Sequence, residues 1–493
     1  MALIPLQLPP GVHRNGTDFE SSNRWREASL VRWHDGSMRP VGGWTVRKSS
    51  AFATAPRAMI SYLDNSSDEY MAVGTYDKLY YVNPSLTVTD ITPSSGFTSG
   101  ALNGALNQGY GGGFFGSTNF GSPPQNSGVY AEATTWSLDT WGEYLLGVSS
   151  TDGKLLEWQG NPSANAATVA NAPTGNKAMV VTEERFVFCL GAGGNPRKVA
   201  WSDKENNTVW SASATNEAGD MELQTTGQIM CGIRMRGSTL ILTDNDAHIA
   251  TYSGPPFVYG FQRVGTACGV GSRKGAVAID EGAFWMGRKG FFSFDGSTAK
   301  EIPCEVADYV FDDMNPSQVS KVYAVHNSQF GEIWWFYPSG SAIENDRYVS
   351  LDYKEGHWAT GEIDRTAGVD QGVFTNPIWA DASGNLYNQE TGYTHGSVKP
   401  FAESGSISLG NGDTIMRVTQ LIPDERVQGQ VNVTFKTRSH PNDTESTHGA
   451  YTLTNPTDVR FQGRQVRIKI QGTGNDNWRS GVMRMEATPG GKR

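Results

Sequence analysis

The sequence predicts an all-β chain, and three observations predict it: glycine is abundant, long helical runs are missing, and one hairpin pattern returns seven times. Of the 493 residues 58 are glycine and 14 tryptophan, and 38% are hydrophobic. That composition supplies tight turns and enough apolar surface for a sizeable core, and it suits short strands better than Leu- or Ala-rich helices. The recurring unit is a hydrophobic strand, a tight polar turn and an aromatic-rich strand. It reads EYMAVGTYDKLYYVNP at 69–84, EYLLGVSSTDGKLLEWQG at 143–160 and ERFVFCLGAGGNPRKVAWSD at 184–203. It returns at 238–254, 282–296, 331–361 and 377–392. Gly, Asp and Asn stand in several of the turns, where a positive φ is needed.

Upstream of the hairpin, AMVVTEERFVF (178–188) aligns without gaps on AVAIDEGAFWM (276–286), so each unit also carries an approach strand. Cys-Gly-Ile (231–233) and Cys-Gly-Val (268–270), each followed closely by arginine, form a second matching pair. A sheet of three or four strands cannot bury its face alone, so such units must stack. A period near 45 residues without helical patterning reads as the blades of a β-propeller. Seven hairpins predict six to eight blades, the count depending on whether the strands around residues 30–33 complete the last one. A row of packed sandwiches is the structural alternative.

Taken in order, residues 1–50 form an N-terminal arm that packs on a platform or closes the propeller. Residues 51–395 form the propeller, and 396–493 a C-terminal β-rich platform, an antiparallel sandwich. The start, MALIPLQLPPGV, is broken by Pro5, Pro9 and Pro10 and has no basic lead, unlike a signal peptide. No apolar run approaches the roughly 18 residues of a membrane helix. The expectation is a soluble chain made in a cytoplasm, without membrane insertion.

An insertion near 94–133 interrupts the first repeats and contains GYGGGFFGSTNFG (109–121), with Tyr110, Phe115 and Phe120 at every fifth residue. Gly111, Gly113 and Gly116 match the dinucleotide fingerprint letter for letter. That fingerprint needs a strand before it, a helix after it and an acidic residue about 20 positions on, none of which this Ser/Asn/Gly/Pro loop offers. No cofactor is expected. The stretch is either a flexible insertion or a loop that docks on a neighbouring subunit or faces a channel through its three aromatics.

After Pro400 the pattern changes to clean alternation, as in half-exposed antiparallel strands. From Pro456 to Arg493 eight Lys/Arg face three Asp/Glu, against a whole-chain charge of −10. In RFQGRQVRIKI, Arg460, Gln462 and Arg464 share one parity and Gln465, Arg467 and Lys469 the other, so a break near Gly463 would put all six on one face. That basic set, with Arg479 and Arg484, is either a solvated face or a contact for an acidic partner. The acidic balance argues against a protein that wraps nucleic acid for affinity.

The sequence offers no catalytic motif and no clustered metal ligands. Cys189, Cys231, Cys268 and Cys304 lie too far apart for a zinc site or redox pair and read as buried free thiols. His357 reads as a hairpin residue. Asp203, Asp295, Asp352 and Asp381 recur near strand ends, where turn formation is the common role and a glycosidase-like carboxylate ring the rarer one. No enzyme is expected. A glycan-binding or glycan-cleaving propeller on a virion stays the alternative, and it requires two carboxylates about 5–9.5 Å apart among Trp or Tyr platforms in a central pocket.

Several stretches together resemble the nozzle proteins of short-tailed bacteriophages, the packaged-DNA stabilisation or tail-tube family. They are RWREASLVRWHDGSMRPVGGW (24–44), LYYVNPSLTVTDITP (79–93), GYGGGFFG with TTWSLDTWGEYLLG (134–147), MRVTQLIPD (416–424), VTFKTRSHP (433–441), YTLTNPTDVRFQGRQVRIKI (451–470) and the terminal PGGKR. The resemblance implies a propeller with an added β-rich platform, six copies forming a ring at the distal end of a virion tail. It implies a place below the portal and its tail adaptor protein, around the exit channel for double-stranded DNA. A needle or plug and tail fibres are further implied partners, and assembly would take place in the host cytoplasm.

Overall fold

The computed structural model describes residues 2–106, 130–280, 282–409 and 414–491. Blades 1 to 6 are four-stranded antiparallel sheets that follow one another along the chain, at 58–90, 136–168, 178–222, 229–266, 276–302 and 323–362. A seventh combines three strands from 367–389 with Trp44–Lys48. The first strands of the blades touch in a closed circle, with Ala367–Val369 of blade 7 beside Ala58–Leu63 of blade 1. The protein is a seven-bladed β-propeller.

Closure comes from the arm, but not from the strands near residues 30–33. Val31–His34 forms a hairpin with Ser37–Pro40, and the closing strand is Trp44–Lys48, antiparallel to Leu386–Gln389. Backbone hydrogen bonds therefore join the two ends of the propeller's own sequence. The seven predicted hairpins are the second and third strands of the seven blades; 69–84, for instance, holds Glu69–Gly74 and Leu79–Val82. The aligned pair upstream is the first strands of blades 3 and 5, Ala178–Val181 and Ala276–Ile279. The two Cys-Gly stretches are not equivalent. Cys231 lies inside the first strand of blade 4, whereas Cys268 lies in the link that follows the strand Val258–Thr266.

Each blade is buried on both faces by its neighbours, which explains why the second strands read as unbroken apolar runs. All six residues of Glu332–Tyr337 in blade 6 are buried. Alternation along that strand sends Trp334 onto Tyr348 (4.3 Å between centroids) and Trp379 of blade 7 (5.3 Å), and Trp335 onto Phe291 of blade 5 (4.9 Å). Burying one such ring contributes about 1.5–3 kcal/mol. Trp136 joins blades 1 and 2 in the same way, its Nε1 donating to the Thr75 carbonyl at 2.6 Å. A Cβ on Gly74 would lie 2.4 Å from this indole, so glycine is required there.

The platform is a sandwich of two sheets drawn from both ends of the chain. One orders Ala2–Leu6, Met483–Gly491, Ile415–Ile422 and Thr457–Gly463. The other orders Trp25–Ser29, Phe401–Ser404, Gln465–Gly472, Val431–Arg438 and Ser446–Thr452, with Ile407–Ser408 also pairing on Gln465–Gly472. Strict alternation of buried and open positions in 431–438 and 457–463 turns Val431, Val433 and Phe435 toward Val459 and Phe461. Phe435 and Phe461 meet at 4.6 Å. The platform hangs from the rim of the propeller: Trp25–Ser29 lies against the outermost strand of blade 6, where the Val12 amide donates to the Trp358 carbonyl at 2.7 Å.

A buried ion cluster locks the arm hairpin to blades 6 and 7. The Arg32 guanidinium donates twice to Glu332 (2.8 and 2.9 Å) and twice to Glu390 (3.0 and 2.5 Å), with all three side chains at most 6% exposed. Asn327 and the Gly42 amide satisfy Glu390, Trp334 Nε1 donates to Glu332 at 2.9 Å, and the Phe330 ring stacks on Arg32 at 3.7 Å.

Candidate functional site

The first strands of all seven blades enclose a central channel containing a cavity of about 520 Å³. Its wall mixes apolar residues of the innermost strands with polar surface, and five charged side chains line it: Asp139, Arg234, Arg273, Lys274 and Asp370. At one mouth a basic residue stands just ahead of the first strand in five blades: Arg57, Lys177, Arg273 with Lys274, Lys321 and Arg365.

Most of these cations are bound into the fold. Arg57, 2% exposed, donates to both Glu344 oxygens (2.6 and 2.7 Å) and to the Leu102 carbonyl. Lys321 donates to Glu344, Asn103 and the Ile343 carbonyl at 2.7–2.8 Å. Burial lowers its ammonium pKa to about 8, a shift the neighbouring Arg57 adds to and Glu344 opposes. Arg273 donates to Glu132 at 3.1 Å and to the carbonyls of Ile229 and Met230. Lys177 donates to the Ser150 carbonyl, and Arg365 stacks on Trp44 and Tyr387, gripping the closing strand.

The same contacts root the insertion. Gly104 exchanges two hydrogen bonds with Gln318 (3.0 and 2.8 Å), the Ala133 amide donates to Ser320, and Ala105–Leu106 pairs with Tyr130–Ala131. The insertion therefore leaves the propeller beside the basic mouth. Tyr110, Phe115 and Phe120 lie outside the described residues.

Toward the far end of the channel, Asp139 accepts from the Val181 and Thr140 amides (2.9 and 2.8 Å) and faces Arg234 at 3.6 Å. Burial raises its pKa above the usual carboxylate value despite these donors. Asp370 pairs with His326 Nδ1 at 3.2 Å and accepts from the Ser328 and Gln371 amides. The two lining carboxylates are each tied to partners of their own, and Tyr323 is the one Tyr or Trp among the described lining residues. Burial pushes the Cys231 thiol up to about 12, away from thiolate chemistry. The arrangement can hold an anion; it does not assemble a nucleophile with its base.

The remaining sequence-derived residues fall into place one by one. Asp295, Asp352 and Asp381 accept backbone amides in turns, as in Asp381 Oδ1 with Ser383 and Asn385, while Asp203 accepts the more distant Glu217 amide. His357 begins the outermost strand of blade 6 and pairs with Glu355 at 3.3 Å. All four cysteines are free; Cys189, Cys231 and Cys268 are buried and Cys304 is half-buried. His34, Asp352 and Glu355 bring ligand atoms within 4.8 Å of one another, a proximity with no trace in the local sequence. Asp352 there caps the Lys354 and Glu355 amides, and Glu355 accepts from the Asp35 amide. No helix among the described residues is long and apolar enough to cross a membrane.

The basic strands of the platform do not share one face. The chain does break after Gly463, but the break carries it from one sheet of the sandwich to the other. Arg460 and Gln462 point outward from the first sheet, where Arg484 is also exposed, while Arg467 and Lys469 point outward from the second. Parity alone could not foresee the change of sheet. Arg467 is taken up by Glu403 (3.2 Å), Glu445 (3.3 Å) and the Ser404 carbonyl, and Lys469 lies 4.0 Å over the Phe401 ring. Arg464 and Arg479 are half-buried.

The basic mouth matches no catalytic or binding motif, although its signal is present in the sequence. PRAMI, NKAMV, RKGAV, KVYAV and RTAGV (56–60, 176–180, 273–277, 321–325 and 365–369) each place Lys or Arg one to three residues before an apolar approach strand.

No protein-family model and no curated protein sequence matches the chain. Among solved structures it is similar to virginiamycin B lyase from Staphylococcus aureus, at 7% identity and a TM-score of 0.41 over 70% of this chain and 98% of that one. The Pan2 WD40 domain of Neurospora crassa is similar at 9% identity and 0.38, over 71% and 94%. The computationally designed Ika8 protein is similar at 10% and 0.38, over 77% and 98%.

Proposed function

We propose that this chain is a structural component of a short phage tail, a subunit of a nozzle ring. The ring, a homohexamer, sits below the portal and tail adaptor, retains the packaged genome and conducts it at ejection. A needle or plug and tail fibres are its further partners. Double-stranded DNA passes through the lumen of the ring without sequence-specific contacts.

The observation that carries this reading is the platform. Residues 24–44 and the stretches at 416–424, 433–441 and 451–470 supply most of the resemblance, and the first lies hundreds of residues from the other three. They fold together into one sandwich and its arm hairpin, fixed to the rim of a closed propeller. A rigid body with a side platform suits a ring subunit. The charge of −10 per copy would repel phosphate wherever it faces the lumen.

Electron microscopy of the purified protein, alone and mixed with a portal–adaptor complex, tests the proposal. Six-fold rings capping the complex are expected. Single propellers that ignore the adaptor would overturn it.

A further inference from the structure

The channel has an electrostatic feature that neither the fold nor the tail reading uses. Lys274 lies one residue before Gly275 and the first strand of blade 5, Ala276–Ile279, its backbone pinned by the Ala324 amide (2.7 Å) and by Ser272 (3.3 Å). Its side chain lines the cavity, yet its ammonium makes no hydrogen bond or ion pair among the described residues. The side chain is half-buried and open to the channel, and a partly desolvated ammonium without a counter-charge favours an anion beside it. Partial burial lowers its pKa to about 8 against the opposing pull of Cys231 and then Asp139, and Asp139 is already engaged by two amides and Arg234.

Three other cations at this mouth are neutralised within the fold, whereas Lys177 rests on a carbonyl and Arg365 on two aromatic rings. Arg57 and Lys321 share Glu344, and Arg273 has Glu132 with two carbonyls. Residues 107–129 contain no acidic side chain, so that part of the insertion has no carboxylate to offer. This unpaired charge faces a cavity of about 520 Å³, several times larger than a single oxyanion.

We infer that the propeller channel is a binding site for a small oxyanion, the phosphate or carboxylate group of a soluble molecule, with Lys274 as its principal contact. Arg234, 45% exposed and also on the channel lining, supplies a second charge. Asp139 of blade 2 and Asp370 of blade 7 also line the channel and exclude a bulky polyanion that would have to pass both. The site belongs to one propeller and is independent of ring formation.

The test is isothermal titration calorimetry of the full chain at pH 7 and constant ionic strength, with inorganic phosphate in one arm and malonate in the other. Constant ionic strength separates binding from screening. Saturable binding of either anion at about 1 mM or tighter is expected. Preference for phosphate assigns a phosphorylated ligand, and preference for malonate a carboxylate. Lys274→Met should weaken binding about tenfold or more, a loss of roughly 1.4 kcal/mol, and Arg234→Gln by less. Lys274→Gln gives the same reading should methionine disturb the fold. The inference fails if neither anion saturates, or if the Lys274 variants bind as the parent does.

Discussion

Two basic side chains inside this acidic protein meet opposite fates. Arg32, at the seam between arm and propeller, has two carboxylates, four short hydrogen bonds and an aromatic ring on its face. Lys274, in the channel, has no such partner among the described residues. Arg32 is buried and Lys274 half-buried, so both carry a desolvation cost, Arg32 the larger. Only the seam repays it from within the chain. Burial still raises the Glu332 pKa above its ordinary value, against the pull of Arg32, which shows how large that cost is even in a satisfied cluster. The difference teaches that the seam is built for fixed geometry, whereas the channel is left electrostatically unfinished.

Breaking the seam should have the largest effect. Arg32→Met leaves Glu332 and Glu390 facing each other in a dry site, and the expected loss is about 3–5 kcal/mol in urea denaturation. Because this cluster holds the hairpin that precedes the closing strand, limited proteolysis should cut first between the arm and blade 1. Lys321→Met comes next. Glu344 keeps Arg57, so the loss should be about 2 kcal/mol, read by the same denaturation.

These clusters also mark what the sequence could tell. The blades were legible because alternation and turn chemistry are local: Glu332–Tyr337 reads as a doubly buried strand on its own, and Asp381 reads as a turn residue. Blade 7 was legible only in part, since its fourth strand comes from more than 300 residues upstream. The Arg32 cluster was invisible for the same reason, its partners lying 300 and 358 positions away. In the platform, alternation predicted strands correctly, but Arg460 and Arg467 went to opposite outer faces because the chain changes sheets at Arg464. Periodicity gives the face within a strand and not the partner sheet.

Finishing the channel by mutation should produce a smaller effect of opposite sign. Lys274→Met removes a desolvated charge, so in phosphate-free buffer at pH 7 it should stabilise the protein by about 1 kcal/mol. The pH dependence fixes the cause. The folded-state pKa of about 8 lies below the unfolded value near 10.5, so the folded protein sheds this proton first. The parent's penalty is full below pH 8 and is relieved as pH rises toward 10.5. The gain from methionine should therefore shrink over that window, as parallel thermal melts at pH 7 and pH 10 would show. A constant gain would point to packing in place of charge.

The smallest effect on stability should come from the platform's outer face, and there the comparison turns from folding to assembly. Arg460 and Arg484 are exposed and extend from strands whose inward neighbours, Val459, Phe461, Met483 and Met485, carry the packing. Arg460→Glu with Arg484→Glu should change unfolding free energy by no more than about 0.5 kcal/mol per site. Arg467 is the internal control: Glu403, 3% exposed, relies on it and on Lys436, so Arg467→Glu would set two acids together and destabilise the sandwich. If the first sheet's outer face meets the acidic surface of an adaptor or a neighbouring subunit, the double charge reversal should abolish capping of the portal–adaptor complex while leaving the melting curve in place. Capping that survives the reversal would remove this face from the interface and leave the second sheet, with Lys469, as the remaining basic surface of the platform to test.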